Sequence, residues 1–299
     1  MSTDMPRPDA TGTEFTPGFT ARIVEVACVR AGLDPTGYTL IRHHTNAVYR
    51  LAHEPVVVKI NRPGSTAPAR VVPLLGWLER HGIAAAPLRP VPGQPMVISG
   101  CPVTFWEYLP QDREVTTVDL AEPLAKLHAV REFTLRLPVH DPMDGVERSI
   151  DMSSILDDTQ RAALYSWCER AKIELSDISY DHAPAVIHGD AQHRNALWHN
   201  IAGRAVLSDW DNCAFGQPEW DAITVEVHAR RFGYPQYDYD RFCGALGWDV
   251  RDWNGYNTFR MIRELRMITT NARKSAPASP AAAEVLRRID HGPETWHRL

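Results

Sequence analysis

The chain has 299 residues, enough for two lobes rather than one small core. Hydrophobic residues make up 44% and charged residues 23%, a balance that excludes a fibrous or largely disordered chain. The formal net charge of −5 and a pI near 6.2 leave no basic field for a polyphosphate backbone, so nucleic acid is not the expected partner. Cys28, Cys101, Cys168, Cys213 and Cys243 are far apart in the chain and form no C-x-x-C pair. They read as buried free thiols in a reducing compartment, and the expected location is cytoplasmic. Residues 1–15 are polar and lack the apolar core of a signal peptide, so a disordered lead is expected there. No apolar run approaches the roughly 20 residues needed to span a bilayer as a helix, so no membrane partner is expected.

In chain order, Ile23, Val26-Ala27 and Val29 predict a helix over 17–31, opened by Pro17 and closed by Gly32. Three strands are expected over 38–42, 47–53 and 56–60, then a helix over 72–80 that Pro73 starts or kinks. Two more strands, 96–99 and 103–108, flank Gly100. This order packs as an antiparallel sheet with a helix against it. After Leu109 the period becomes helical: 117–129 carries Leu120, Leu124 and Leu127 on one face, 158–175 carries Leu164, Trp167 and Ala171, and 256–270 carries Phe259, Ile262 and Leu265. Residues 275–283 read as an Ala/Pro loop. The expected fold class is α+β and bilobal, with an antiparallel sheet in an N-terminal lobe, 1–109, and a mainly helical C-terminal lobe, 110–299.

The segment richest in chemistry is Val186-Ile-His-Gly-Asp190-Ala-Gln-His-Arg-Asn195, followed by Ser208-Asp209-Trp-Asp211. Between them His199-Asn200-Ile-Ala-Gly203 joins two short apolar runs, which predicts a hairpin. That hairpin places Asn195, just before its first strand, at the same end as Asp209, just after its second. Asp190 lies five residues before Asn195 on a tight loop that Gly189 permits. Two carboxylates and an amide oxygen converging there form a hard-oxygen set suited to Mg2+, which takes few protein ligands and completes its shell with phosphate and water.

With the motifs around it, this segment resembles the aminoglycoside phosphotransferase and choline kinase family, relatives of the protein kinases. The resemblance runs along nearly the whole chain: T-N-A-V-Y-R at 45–50, V-V-V-K at 56–59, W-E-Y-L at 106–109, L-A-x-L-H at 124–128, H-G-D-x-x-x-x-N at 188–195, D-W-D at 209–211 and G-Q-P-E-W-D at 216–221. It implies a protein-kinase-like fold and an ATP- or GTP-dependent transfer of the γ-phosphate to a hydroxyl of a small molecule, with Mg2+ as cofactor. The acceptors it suggests are an aminoglycoside-like antibiotic, a sugar or an amino alcohol. Carried over by motif, Asp190 is the catalytic aspartate, Asn195 and Asp209 are the metal ligands, and Lys59 holds the α- and β-phosphates. Thr45 and Asn46 stand in the phosphate loop, and the backbone of Glu107, Tyr108 and Leu109 meets the base. His188 is expected to be structural, and Asp221 to anchor the loop beneath the site.

The chain departs from the family pattern at one position. Where the pattern has the glutamate that pairs with the lysine, this sequence has Val71, with Pro73 following and Glu79 about two turns on. Two other readings follow from the residues. One is a nucleotide-binding pseudokinase or regulatory module, supported by Val71. The other is a metal-dependent hydrolase built on His188, Asp190 and His193. Residues beyond Asp221 are expected to shape the acceptor pocket, with Glu226, Arg230, Tyr234, Tyr237 and Asp238 as candidates; helix-surface charge is the alternative, and preferred, account of any one of them. The negative net charge leans toward a neutral or cationic acceptor.

Overall fold

The computed structural model describes residues 15–292 and 294–299. The chain divides into two compact units: one holds the described residues up to Gly76 together with Ala86–Leu109, the other Trp77–Ala85 and Pro110–Leu299.

In the first unit, α1 (Pro17–Ala31) starts at Thr16, whose hydroxyl accepts the Phe19 amide, and stops at the left-handed Gly32. Strands β1 (Thr39–His43), β2 (Asn46–Arg50) and β3 (Val56–Asn61) precede α2 (Ala67–Arg80), and β4 (Met96–Ile98) and β5 (Cys101–Glu107) follow it. The strands form one antiparallel sheet in the order β1-β2-β3-β5-β4. Period-two alternation divides its faces. Val56, Val58 and Ile60 join Tyr49, Val103 and Phe105 against Ile23, Val24 and Ala27 of α1, and the Tyr49 hydroxyl bonds Thr20 at 2.7 Å inside that core. Asn46, Lys59, Asn61 and Thr104 alternate with these residues and are also buried, so the second face carries buried polar groups beside Val48 and Val57. Helix α2 begins at Ala67, five residues before the expected start, and runs through Pro73. Pro73 is exposed while Val71, Leu74, Leu75 and Leu78 are buried. The lost amide bond therefore falls on the solvent side, and the apolar face carries the helix past it.

The second unit contains α3 (Ala121–Ala129), α4 (Val146–Asp151) and α5 (Asp158–Leu175), which opens on a capping box between Asp157 and Gln160. Four short strands follow: β6 (Ala185–Ile187), β7 (Ala196–His199), β8 (Arg204–Leu207) and β9 (Ala214–Gly216). Helices α6 (Pro218–Arg231), α7 (Gln236–Leu246), α8 (Tyr256–Lys274) and α9 (Pro280–His291) complete it. The hairpin β7–β8 has the expected register, with Ala196 opposite Leu207. Strands β6 and β9 form a second ribbon that the sequence reading does not contain. Helix α9 occupies part of the stretch read as an Ala/Pro loop: Ser279 caps it, Pro280 stands in its first turn, and Val285 and Arg288 are buried. The expected disordered lead lies outside the described residues except for Phe15, which is buried against the first core. All five cysteines are free, and burial pushes the Cys28, Cys101, Cys168 and Cys243 thiols up to about 11. No helix among the described residues is long and apolar enough to cross a membrane.

Candidate active site

Strand β6 feeds the loop His188-Gly189-Asp190, and one buried carboxylate holds its backbone. Asp221, at the start of α6 and fully buried, accepts the His188 amide at 2.7 Å, the Gly189 amide at 2.9 Å and His128 Nε2 at 3.0 Å. Burial raises its pKa, but the His128 bond and the His188 amide outweigh that and hold the carboxyl below its ordinary range. The loop thus rests on an ionised group satisfied from three sides, as the anchoring reading of Asp221 requires. His188 is itself enclosed, with Nε2 2.9 Å from the Ser208 carbonyl and its ring 4.6 Å from that of Trp210. Gly189 has φ +80, and a Cβ there would lie 2.2 Å from the Asn212 carbonyl oxygen, so no other residue fits.

This support presents Asp190. Its Oδ2 accepts Asn195 Nδ2 at 2.8 Å and Gln192 Nε2 at 3.0 Å, and its Oδ1 accepts Arg263 Nη2 at 2.6 Å. Burial alone would raise the Asp190 pKa; the Arg263 guanidinium prevails and holds it below the usual carboxylate range. The same guanidinium and the same burial keep His228, 3.3 Å from Arg263 Nη2, neutral. Asn195 Nδ2 also donates to the Asp190 carbonyl at 2.9 Å. With its nitrogen so occupied, Asn195 offers its amide oxygen to a cation.

Across the hairpin, the Ser208 amide donates to the Asn195 carbonyl at 2.7 Å, which fixes Asp209 beside Asn195. Asp209 adopts φ 60, ψ 55, a left-handed backbone that non-glycine residues enter at a cost and that clusters at functional positions. The 3-10 turn Trp210–Asn212 follows it, with Trp210 buried and its indole N–H on the Leu207 carbonyl at 3.2 Å. Asp190, Asn195 and Asp209 therefore lie around one hairpin end, and the ligand atoms they carry for a cation are oxygens. This donor set fits a magnesium-like ion, which needs few protein ligands.

The remaining expected residues fall as follows. Lys59 is 8% exposed in β3, paired in register with Val48 and Thr104 on the second face of the first sheet. Asn46 opens β2 and Thr45 is in the turn before it. The Glu107 amide donates to the Pro87 carbonyl at 3.0 Å and the Tyr108 amide to the Pro55 carbonyl at 2.7 Å, so these two N–H groups are used within the unit. Leu109 follows them at the end of the first unit. Val71 is buried on α2, and Glu79 is exposed in its last turn.

The helix-surface account is corrected for some of the acceptor-pocket candidates. Glu226 is 4% exposed, not on the helix surface; it takes Arg230 at 3.0 Å and Tyr256 at 2.9 Å, and Arg230 also pairs with Glu264. Tyr234 stacks on His193 with centroids 3.8 Å apart and accepts Arg298 at 2.9 Å, tying the loop after Asp190 to the C-terminal residues. Asp238 is buried near the start of α7, and Tyr237 is exposed. The hydrolase reading fails on geometry. His193 Nε2 is bound to Thr117 Oγ1 at 2.9 Å, His188 Nε2 to a carbonyl, and Asp190 to Arg263. Among the described residues no group of three His, Cys, Asp or Glu side chains could hold a metal ion. Arg263 and Gln192 escape the sequence reading. Gln192 lies inside the motif, while the one signal for Arg263 is a charge beside Ile262 on the apolar face of α8.

A five-stranded antiparallel sheet unit and a mainly helical unit give the chain a protein-kinase-like fold. Residues 38–254 match the phosphotransferase enzyme family, and the chain belongs to it as a small-molecule phosphotransferase. Among curated proteins none matches the chain in sequence. Solved structures share the fold. Amicoumacin kinase hAmiN, in complex with AMP-PNP, Ca2+ and Ami, is 15% identical with a TM-score of 0.69, over 90% of this chain and 91% of that one. Choline kinase LicA from Streptococcus pneumoniae is 14% identical with a TM-score of 0.67, over 91% and 98%. The microcompartment-associated aminopropanol kinase is 16% identical with a TM-score of 0.67, over 90% and 97%.

Proposed function

We propose that the chain transfers the γ-phosphoryl group of ATP or GTP, as its Mg2+ complex, to a hydroxyl of a small molecule in the cytoplasm, with residues up to 109 binding the nucleotide and 110–299 supplying the catalytic loop and the acceptor pocket. The observation that carries this is the joint placement of Asp190, Asn195 and Asp209 around one hairpin end. The acceptor oxygen bonds to the γ-phosphorus as the bond from that phosphorus to the β–γ bridging oxygen breaks, and the electron pair leaves with the nucleoside diphosphate. Asp190 accepts a hydrogen bond from the hydroxyl and aims its lone pair. Arg263 keeps Asp190 ionised and weakly basic, so the proton passes on to phosphate or solvent. A bound metal would supply charge neutralisation on the phosphates, held through Asn195 and Asp209. Lys59 binds the donor phosphates as a point charge.

Calorimetry with nucleotide is the test. Binding is expected with magnesium and strongly weakened without it, and Lys59→Ala is expected to raise the nucleotide KM. No heat with saturating Mg-nucleotide would defeat the proposal. One observation favours a second reading, a nucleotide-binding module without turnover: Val71 leaves no carboxylate at the position that pairs with the lysine in the family pattern. Nucleotide binding without consumption over a broad acceptor panel would support it.

A further inference from the structure

Arg263 is an unusual neighbour for a group that must face a hydroxyl. Its side chain is 9% exposed, that of Asp190 is 20% exposed, and the two are joined at 2.6 Å. Nη2 serves Asp190 and approaches the neutral His228, while Nε is enclosed with no acceptor among the described residues. Arg263 also belongs to a stripe. Arg260, Arg263 and Arg266 recur every third residue along α8 and so share one side of the helix. Arg260 stands 5.5 Å over the Tyr256 ring, and its Nε likewise lacks an acceptor among the described residues. Arg266 donates to the backbone carbonyls of Asp141, Pro142 and Asp144 at 3.0–3.2 Å. Asp141 and Asp144 act on Arg266 without a direct ion pair. Glu226 and Glu264 are matched by Arg230 and Arg231, which leaves Asp190 as the one carboxylate paired with the stripe among the described residues.

We propose that Arg263, with Arg260 one turn before it, binds a carboxylate carried by the acceptor, so that the enzyme phosphorylates a hydroxy acid in preference to an amine or a neutral alcohol. This rests on the phosphotransfer reading above. A planar guanidinium with an N–H that has no acceptor among the described residues suits a carboxylate. A buried cation is stabilised by an anion and penalised by an ammonium group. A singly charged carboxylate also suits the place better than a second phosphate, because Asp190 and the donor phosphates already crowd it with negative charge. On this proposal the lean toward a cationic acceptor drawn from net charge is reversed, because the group that meets the acceptor beside Asp190 is a guanidinium and local charge decides binding.

The test is nucleotide consumption by the full chain with magnesium, using glycerate and gluconate, their neutral counterparts glycerol and glucose, and the amines choline and ethanolamine. An acid is expected to exceed its neutral counterpart in kcat/KM by about tenfold or more. Arg263→Gln is expected to raise the KM for that acid by roughly 30-fold, the low end for truncating one partner of a buried charge pair, and to leave the nucleotide KM unchanged. Arg260→Gln should erode the same preference less. A purely positioning role for Arg263 would instead lower kcat equally for acid and neutral acceptors and leave their ratio intact, which would overturn the proposal. Thermal melting checks that each variant folds; if Arg263→Gln does not, Arg263→Lys and Arg260→Gln carry the comparison. Preference for an amine or a neutral alcohol overturns the proposal, as does no turnover of any acid while calorimetry shows Mg-nucleotide binding. Absence of nucleotide binding would instead overturn the phosphotransfer reading beneath it.

Discussion

Asp190→Ala is expected to reduce kcat by roughly 10²–10⁴-fold, the range for losing a positioned acid–base group, with nucleotide affinity close to that of the parent chain. The separation follows from geometry. Asp190 lies on the loop, and its carboxylate is bonded to Gln192, Asn195 and Arg263. On the proposed reading, the nucleotide phosphates are held by Lys59 and through Asn195 and Asp209. Asp190→Asn keeps the size and loses the charge, so it should retain the Asn195 arrangement better while releasing Arg263. Both variants are best compared by steady-state kinetics with nucleotide and acceptor varied in turn. Near-normal turnover in Asp190→Ala would remove Asp190 from the catalytic role.

Asp221→Ala is expected to act on stability instead. The variant leaves two buried loop amides and His128 without their acceptor in a site that excludes water. Breaking a buried ionic group in this way costs about 3–5 kcal/mol, on the order of 10 °C in Tm for a chain of this size. Asp221→Asn keeps one oxygen acceptor and should lose less. Thermal melting reads both, and an Asp221→Ala variant that melts with the parent chain would show that the loop stands without its anchor.

The elements legible in the sequence are those whose pattern is local. The bounds expected for α1, at 17–31, and for α5, at 158–175, agree with the structure because capping residues and apolar spacing coincide there. The β7–β8 hairpin follows from two short apolar runs around a turn, and with it came the pairing of Asn195 with Asp209. The expected start of α2 at 72 falls five residues late because proline reads as a helix start or a kink, whereas an exposed proline costs one bond that a buried apolar face offsets. Strands β6 and β9 have three residues each and pair across 27 positions of sequence, too short for any periodicity to register. The site divides the same way. Asp190, Asn195 and Asp209 are close in sequence and were readable together. Arg263 reaches Asp190 from 73 residues away, and only the packing of α8 brings it there. Glu226 and Arg230 read as helix-surface charge because an ion pair buried between helices has no one-dimensional signature.

The most direct measurement is the fate of the γ-phosphate. The full chain, with magnesium and γ-labelled nucleotide, is incubated with the protein fraction and, separately, the small-metabolite fraction of a cell extract. Only nine residues separate the D-W-D aspartate Asp211 from Asp221, and β9 and the start of α6 fill much of that interval, leaving little room for a platform on which a peptide could lie. The expected result is label in a small metabolite, dependent on magnesium and abolished in Asp190→Ala. Label confined to protein bands, or transfer that persists in Asp190→Ala, would contradict the account.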